Sequence, residues 1–462
     1  MNPIRLLSLL LSIVLPLRAA DAPKPNVVFF LIDDLGYADC GFNGGADIMT
    51  PNIDKLAKAG AVLESFYVQP VCSPTRSAFL TGRYPTHTGV YTIVRPGAPW
   101  GLPLAERTLP KALREAGYAT AISGKWHLGE FKPEYMPTAR GFDQQYGHMF
   151  GAIDYFTKVR DGRRDWYRND QPSADEGYST HLVAKEAVRV VREKPADKPL
   201  FLYVPFNGIH APHQVPASYK EPYKNLKEPR QTIAGMLAAV DEAIGQIVDA
   251  VAEKGLTENT LFIFSADNGG PGPGRLTMNT PLRAGKGTIY EGGVRAAAFA
   301  TWPGKIPAGR IKTPLHMVDW YPTLLALAGA KTEQPLPVDG TDIMPVLSGK
   351  GALSRDAVLL HGTAPGKAAI RMGDWKLLVN ASEKDAEEST AADIAVSGKV
   401  ELYNLAEDIA EAKNVADSNP AKVKELRERL GVFLKGAVPP GNQSDEKPAA
   451  PARRKKAPAK GA

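Results

Sequence analysis

The chain has 462 residues, a formal charge of +6, 44% hydrophobic and 23% charged residues, and two cysteines. That length exceeds one small core and suits one large α/β domain or two domains. The excess charge is terminal, with Arg5 and Arg18 near the start and Lys447, Arg453, Arg454, Lys455, Lys456 and Lys460 near the end. The body between them is close to neutral and gives no ground for a nucleic-acid partner.

Residues 1–22 read as a secretory signal: Arg5 precedes an apolar run over 6–17, and Ala19, Ala20 and Ala22 follow. The run falls short of the ~20 residues a spanning helix needs. No later segment is long and apolar enough to span, so the sequence predicts secretion or periplasmic export with no transmembrane segment. In such a compartment Cys40 and Cys72, by count alone, suggest a disulfide. Residues 23–352 are expected to form the main domain and 353–436 a small α+β subdomain. Residues 437–462, rich in Pro, Ala and Lys, read as a disordered basic tail.

Segment 25–32 is almost continuously apolar, as a buried strand is, and exits into Asp33-Asp34-Leu35-Gly36. Helices are predicted over 50–59, stopped by Gly60, and over 109–116, stopped by Gly117. A short strand over 118–122 runs into Ser123-Gly124-Lys125-Trp126-His127. A helix over 181–193 precedes a strand over 200–205, which leads to His210. A long helix over 232–254 has apolar residues at helical spacing, and a buried strand over 261–265 ends at Ala266-Asp267-Asn268-Gly269. This alternation predicts an α/β fold with a largely parallel sheet covered on both faces. Ligands of such sheets lie beyond the carboxyl ends of the strands, where these polar clusters would converge. Short segments over 357–361, 368–372, 375–379 and 400–405, then a helix over 419–434 capped by Asn419, predict a small antiparallel sheet plus helix.

Asp33, Asp34, Asp267 and Asn268 offer only oxygen, a donor set for Ca²⁺ or Mg²⁺ rather than zinc. Ser73-Pro74 reads as a helix start, with Ser73 as cap and the helix running through Leu80 to a stop at Gly82. Cys72 then sits at a helix N-terminus, where free amides favour an anion. Arg76, one turn on, can point back to the same place. Lys125 and His127, two apart, share a side if the backbone stays extended. They pair a cation with an imidazole, which suits anion binding and proton transfer. Pro212 argues against the helix that would set His210 and His213 together on a metal, so His210 is expected in the site with His213 behind it. Lys286 lies in a glycine-rich loop over 283–293 that lacks the glycine spacing of a P-loop.

Cys72-Ser73-Pro74-Thr75-Arg76 with Leu80-Thr81-Gly82-Arg83, and Gly285-Lys286 followed by Glu291-Gly292-Gly293, resemble the signatures of the type I, formylglycine-dependent sulfatases. These belong to the alkaline phosphatase superfamily, and the arylsulfatase and N-acetylgalactosamine-4-sulfatase branch is the most similar. The resemblance covers residue 25 to about 434. It implies an alkaline-phosphatase-like large sheet flanked by helices, and conversion of Cys72 to formylglycine by a maturing enzyme. It implies Ca²⁺, with Mg²⁺ as the alternative, held by Asp33, Asp34, Asp267, Asn268 and residue 72. Arg76 and Lys125 would stabilise the hydrated aldehyde and the sulfate charge. Asp267 would take the proton of the attacking hydroxyl. His210 and Lys286 would hold sulfate and assist the leaving oxygen, and His127 would deprotonate the second hydroxyl so that sulfate is expelled. Cys40 then has no partner and is expected to be buried.

One position departs from the pattern: some arylsulfatases place a serine against sulfate near residue 151, where this chain has Gly151. The implied substrate is a sulfated carbohydrate with a galactosamine- or galactose-type sugar. Arg95, Trp100, His148, Asp154, Tyr155 and His361 are candidates for the pocket wall. Two alternatives stay open: a formylglycine-dependent phosphonate monoester or phosphodiester hydrolase, and a non-catalytic carbohydrate-binding protein with a Cys40–Cys72 disulfide.

Overall fold

The computed structural model describes residues 23–383 and 398–441. The expected signal segment over 1–22 and the tail beyond residue 441 lie outside the described residues. Among the described residues the main element is a ten-stranded sheet. Its parallel centre runs, in spatial order, Thr260–Ala266, Asn26–Ile32, Leu200–Pro205, Ala119–Lys125 and Gln144–His148. Antiparallel strands Ala298–Thr301 and Tyr167–Arg168 flank this centre. The central strands are buried on both faces, which is why residues 27–32 and 261–264 are apolar without alternation. Helices Ser179–Glu193 and Arg230–Glu253 pack together, and Ile233, Leu237, Val240, Ile244, Ile247 and Val251 bury one stripe of the second. The expected α/β architecture stands.

Parallel register decides where the chemistry goes. Ile32 is paired with Ala266, so Asp33-Asp34 and Asp267-Asn268 leave the sheet side by side, and Asp267 N–H donates to Ile32 O at 3.0 Å. On the other flank Leu31 is paired with Pro205, and Lys125 ends the next strand but one.

Strands Ala357–His361, Ala368–Met372, Trp375–Val379 and Val400–Asn404 form an antiparallel meander. Alternation sends Val358, Leu360, Ala369 and Leu378 to one face, where they pack on Ile289, Tyr290 and Val294. Leu359, Ile370, Leu377 and Leu402 face the other way and join Leu426 and Leu430 of helix Pro420–Phe433 in the main core. The small sheet thus rests on the segment that directly follows Lys286. No helix among the described residues is long and apolar enough to cross a membrane.

Two local expectations change. Val71, not Ser73, is the N-cap of helix Cys72–Thr81, and Cys72 is its first residue. Ser73 is taken up elsewhere: its Oγ donates to His127 O at 2.8 Å and accepts from Val94 N at 3.1 Å. Asn419 does stand at the N-cap of its helix, but its side chain caps nothing and donates to Val415 O at 2.9 Å.

Candidate active site

Cys72 is 1% exposed, at the first position of its helix. Its Sγ lies 3.4 Å from Asp33 Oδ1, and Lys286 Nζ is 3.9 Å from the sulfur. Cys40 and Cys72 are both free and buried, so the disulfide alternative is excluded in this structure. Burial, reinforced by Asp267 and Asp33, pushes the Cys72 thiol well above its ordinary range.

Three cations face three carboxylates around this sulfur. Arg76 Nη2 is 2.9 Å from Asp267 Oδ2 and 3.4 Å from Asp33 Oδ2, and Nη1 donates to Lys125 O at 3.1 Å. Lys125 Nζ pairs with Asp33, and Lys286 Nζ is 2.7 Å from Asp34 Oδ1. Arg76, Lys125, Asp33 and Asp267 are fully buried, and a buried pair persists only where each charge is matched. Burial works against the charged form of Asp34, but Lys286 and His210 outweigh it and hold the carboxyl well below the usual carboxylate range. Asp267 moves the other way, raised by burial and by neighbouring Asp33 despite Arg76 and Lys125. Lys286 is kept firmly charged by Asp34 in spite of its burial.

Asn268 gives the clearest test of whether a cation fits. Its Nδ2 donates to Asp34 Oδ1 at 2.8 Å and to Gly269 O at 3.1 Å, while its Oδ1 is buried with no hydrogen-bond donor. An orphaned buried oxygen costs about 1–3 kcal/mol, and a hard cation beside the carboxylates would satisfy it. Donor atoms of Asp33, Asp34, Cys72 and His210 all lie within 4.8 Å of one another. Asp267 is tied to the group by the Asp34 N–H, which donates to Asp267 Oδ1 at 3.2 Å. The oxygen-rich set fits a hard divalent ion.

The two imidazoles line the cavity above Cys72. Lys125 and His127 both serve the site, but not by extended alternation. The strand ends at Lys125, and His127 takes a left-handed conformation, φ 59°, held by its N–H to Met149 O at 3.0 Å. Asp34 is also left-handed, φ 64°. Such backbones in residues other than glycine concentrate at functional sites. Burial, then Lys125 and Arg76, drives the His127 pKa well below its ordinary value, and its Nδ1 has no hydrogen-bond partner. His210 is pushed down to about 4 by burial, although Asp34, 3.7 Å from Nε2, acts in the opposite direction. Its Nδ1 faces Ala211 O at 2.6 Å, so the neutral ring donates there and leaves Nε2 as an acceptor.

Gly151 has a structural reason. A Cβ there would stand 2.5 Å from His127 Cε1 and Nε2, so no side chain fits unless the imidazole moves.

The cavity is about 120 Å³ and is lined by Cys72, His127, His210 and Lys286 within, and by Ile93, Val94, Arg95, Pro96, Gly151, Ala152 and Arg160 around them. Whole-ligand pockets usually measure about 300–1,000 Å³, so this one suits one terminal group of a larger molecule. Of the six wall candidates only Arg95 lines it. Tyr155 is buried behind, its hydroxyl donating between Asn207 O and His210 O at 2.5 and 2.7 Å, so it steadies His210. Asp154 organises a turn, accepting from Phe156 N and Thr157 N. His148 is fully buried and stacked on Trp166. His361 is buried beside Tyr91, its Nδ1 2.6 Å from Gly362 O. Trp100 packs by Gly441. Arg160 was not anticipated: in sequence it is one of several arginines in a polar stretch.

A family model described as Sulfatase matches residues 25–330. Arylsulfatase J of Mus musculus is 36% identical over 465 residues, covering 91% of this chain and 77% of its own length. N-acetylgalactosamine-6-sulfatase of Canis lupus familiaris is 35% identical, covering 78% of this chain and 73% of its own. Among solved structures, Ps i-CgsB in complex with k-i-k-neocarrahexaose matches with a TM-score of 0.82 at 34% identity, over 90% of this chain and 94% of that one.

Proposed function

The chain belongs to the sulfatase family, and from that premise we propose that it hydrolyses sulfate esters of a carbohydrate, with an oxidised Cys72 as nucleophile and a divalent cation beside it. The observation that carries the proposal is the convergence of residue 72 with Asp33, Asp34, Asp267 and Asn268 on one side and Arg76, Lys125, Lys286, His127 and His210 on the other. The encoded thiol is a poor nucleophile, because its raised pKa leaves little thiolate near neutrality. Oxidation of Cys72 to formylglycine by a maturing enzyme, with an oxidant of its own, followed by addition of water to the aldehyde, would supply a geminal diol: one hydroxyl to attack sulfur and a second whose deprotonation expels sulfate and restores the aldehyde. Asp33, Asp34, Asp267 and Asn268 Oδ1 would hold Ca²⁺, or Mg²⁺ as the alternative, which supplies charge stabilisation and lowers the pKa of a neighbouring hydroxyl.

The remaining steps belong to this chain's own groups. Asp267, whose proton affinity is raised, accepts the proton of the attacking hydroxyl. Arg76 and Lys125 are fully buried and Lys286 is 13% exposed, so these fixed positive charges oppose the growing sulfate charge in a largely desolvated site, where the effect is large. An anionic ester entering the cavity raises the proton affinity of His210 Nε2, so the imidazole becomes able to protonate the departing alcohol. His127, kept neutral, takes the later proton.

A sulfated sugar of galactosamine or galactose type is supported by the galactosamine in the name of one relative and the oligosaccharide bound to the structural neighbour. Export, read from residues 1–22, belongs to the same proposal. The test is sulfate release by enzyme co-expressed with a maturing enzyme. Substrates are 4-nitrophenyl sulfate and defined sulfated mono- and oligosaccharides, with phosphonate monoesters and phosphodiesters in parallel. We expect sulfated sugars to be preferred; faster turnover of the phosphorus esters would overturn the proposal.

A further inference from the structure

A general base is usually aimed by a third group that hydrogen-bonds its far nitrogen. Among the described residues His127 has no such group: its buried Nδ1 is without a hydrogen-bond partner, whereas His210 Nδ1 faces Ala211 O at 2.6 Å. The aim of the His127 ring therefore rests on its backbone and on the room left to it. Gly151 leaves that room, since a Cβ there would stand 2.5 Å from the ring. The backbone is left-handed, φ 59°, a conformation that a residue with a side chain keeps only where its surroundings hold it.

Two hydrogen bonds hold it. His127 N–H donates to Met149 O at 3.0 Å, and His127 O accepts from Ser73 Oγ at 2.8 Å. The Met149 side is itself anchored, because Met149 N–H and Phe150 N–H donate to the Asp165 carboxylate at 2.9 and 2.7 Å. The Ser73 side is anchored in the helix that carries residue 72. Ser73 is fully buried and is the second residue of helix Cys72–Thr81. The same helix grips the strand end two residues earlier, where Arg76 Nη1 donates to Lys125 O at 3.1 Å. Ser73 Oγ also accepts from Val94 N–H at 3.1 Å, and Val94 lines the cavity. A serine hydroxyl has one proton. With Val94 N–H as donor, that proton is committed to His127 O. One hydroxyl thus joins the helix of residue 72, the carbonyl of His127 and the outer wall.

We propose that Ser73 is the positioning residue for His127, and that its hydroxyl governs the second chemical step more than the first. This rests on the sulfatase reading and on His127 as the base of that step. There His127 takes the proton of the free hydroxyl on sulfated residue 72. The O–H electron pair becomes the C=O bond, and the C–O bond to sulfate breaks with its pair on sulfate. The first step uses Asp267 and His210, neither of which is a hydrogen-bond partner of Ser73. The experiment is rapid mixing of 4-nitrophenyl sulfate with parent, S73A, S73T and T301A, with rates referred to the fraction of residue 72 converted in each sample. The good leaving group keeps the first step from limiting. S73A should release nitrophenol in a burst matching the enzyme concentration, then turn over about ten- to a hundredfold more slowly than the parent. Mass spectrometry of acid-quenched S73A should find sulfate on residue 72 in a fraction about tenfold or more above the parent. S73T keeps the hydroxyl and should regain most of the rate. T301A removes another buried hydroxyl, one that donates to Leu56 O at 2.8 Å from a strand bearing no site residue. It should lose stability with neither burst nor adduct. An S73A protein with the parent's turnover and adduct level, or one in which burst and turnover slow alike, overturns the positioning role. So does an S73T no faster than S73A, or the same burst and adduct in T301A. A fully converted parent that releases sulfate from neither this ester nor sulfated sugars overturns the sulfatase reading and the positioning role together.

Discussion

Replacing Lys376 by methionine should loosen the active site from a distance. Lys376 is fully buried in the small C-terminal sheet, and its Nζ lies 2.9 Å from Glu291 Oε1 and 2.9 Å from Glu411 Oε1. Glu291 keeps other partners, Arg295 at 3.2 Å and the Tyr67 hydroxyl at 2.9 Å. Glu411 keeps only the Glu291 N–H, at 2.6 Å, among the contacts described. Removing one member of a buried ion pair costs about 3–5 kcal/mol. Because Arg295 remains and Glu411 can take up a proton, the lower end applies, about 3 kcal/mol. At about 2–4 °C per kcal/mol for a large domain, Tm should fall by roughly 6–12 °C. Activity should fall as well. Glu291 opens the helical turn Glu291–Val294, five residues after Lys286, and Gly293 O accepts from Gly269 N at 3.0 Å, beside Asn268. The charge cluster therefore braces both the Lys286 loop and a proposed metal-binding dipeptide. A displacement of about 1 Å there can cost ~10²-fold in rate. The assay is thermal and urea unfolding near pH 7.5, with kcat on aryl sulfate, for K376M, E411Q and the double variant. E411Q/K376M should recover part of the loss, because the uncompensated carboxylate is gone. A K376M protein within about 0.5 kcal/mol of the parent, the range of ordinary surface substitutions, with unchanged kcat, would refute this reasoning.

Three further outcomes follow from the same geometry. Gly151→Ser puts a Cβ where the His127 ring stands. Its kcat should drop by about ten- to a hundredfold although the new hydroxyl could meet sulfate; an unchanged kcat in steady-state kinetics would mean the imidazole has room to spare. Asn268→Ala removes the buried oxygen that has no donor. The parent at a cation concentration 100 times its Kd should gain about 2.7 kcal/mol of stability, lost on chelation, and the variant should need at least tenfold more cation for the same Tm rise. A chelator without effect on the parent's Tm or activity would remove the cation from the mechanism. Burial, with Glu291 adding to it, pushes the Glu411 carboxyl from 4.5 up to about 7 against the pull of Lys376. A raised acid favours the protonated folded state, so this stability is complete below pH 4.5 and lost as the pH climbs to 7. Relative to E411Q, the parent's Tm should fall across that window and stay level above it; parallel curves would contradict the assignment.

The convergence of Asp33, Asp34, Asp267 and Asn268 was legible because each pair follows an unmistakable strand. Continuous apolar runs over 27–32 and 261–264 announced their own ends, and the polar pairs after them had one rim to occupy. Parallel pairing of Ile32 with Ala266 did the rest. The pocket wall was not legible, because it depends on which loops fold over the rim. Polar and aromatic residues such as His148, Tyr155 and His361 look surface-bound in sequence yet are buried behind the cavity. Ser73 fits a capping pattern, but its hydroxyl is taken by His127 O and Val94 N, partners remote in sequence. The same holds for Lys376, whose partners Glu291 and Glu411 lie on other elements and come together only once the small sheet docks.

The state of residue 72 is the most direct test. The peptide containing it should be mapped by mass spectrometry in protein made with and without a sulfatase-maturing enzyme, and sulfate release measured on the same samples. Formylglycine at position 72 is expected, with activity proportional to the fraction converted and none from the wholly unmodified thiol. Full activity from protein whose Cys72 remains a thiol would contradict the mechanism.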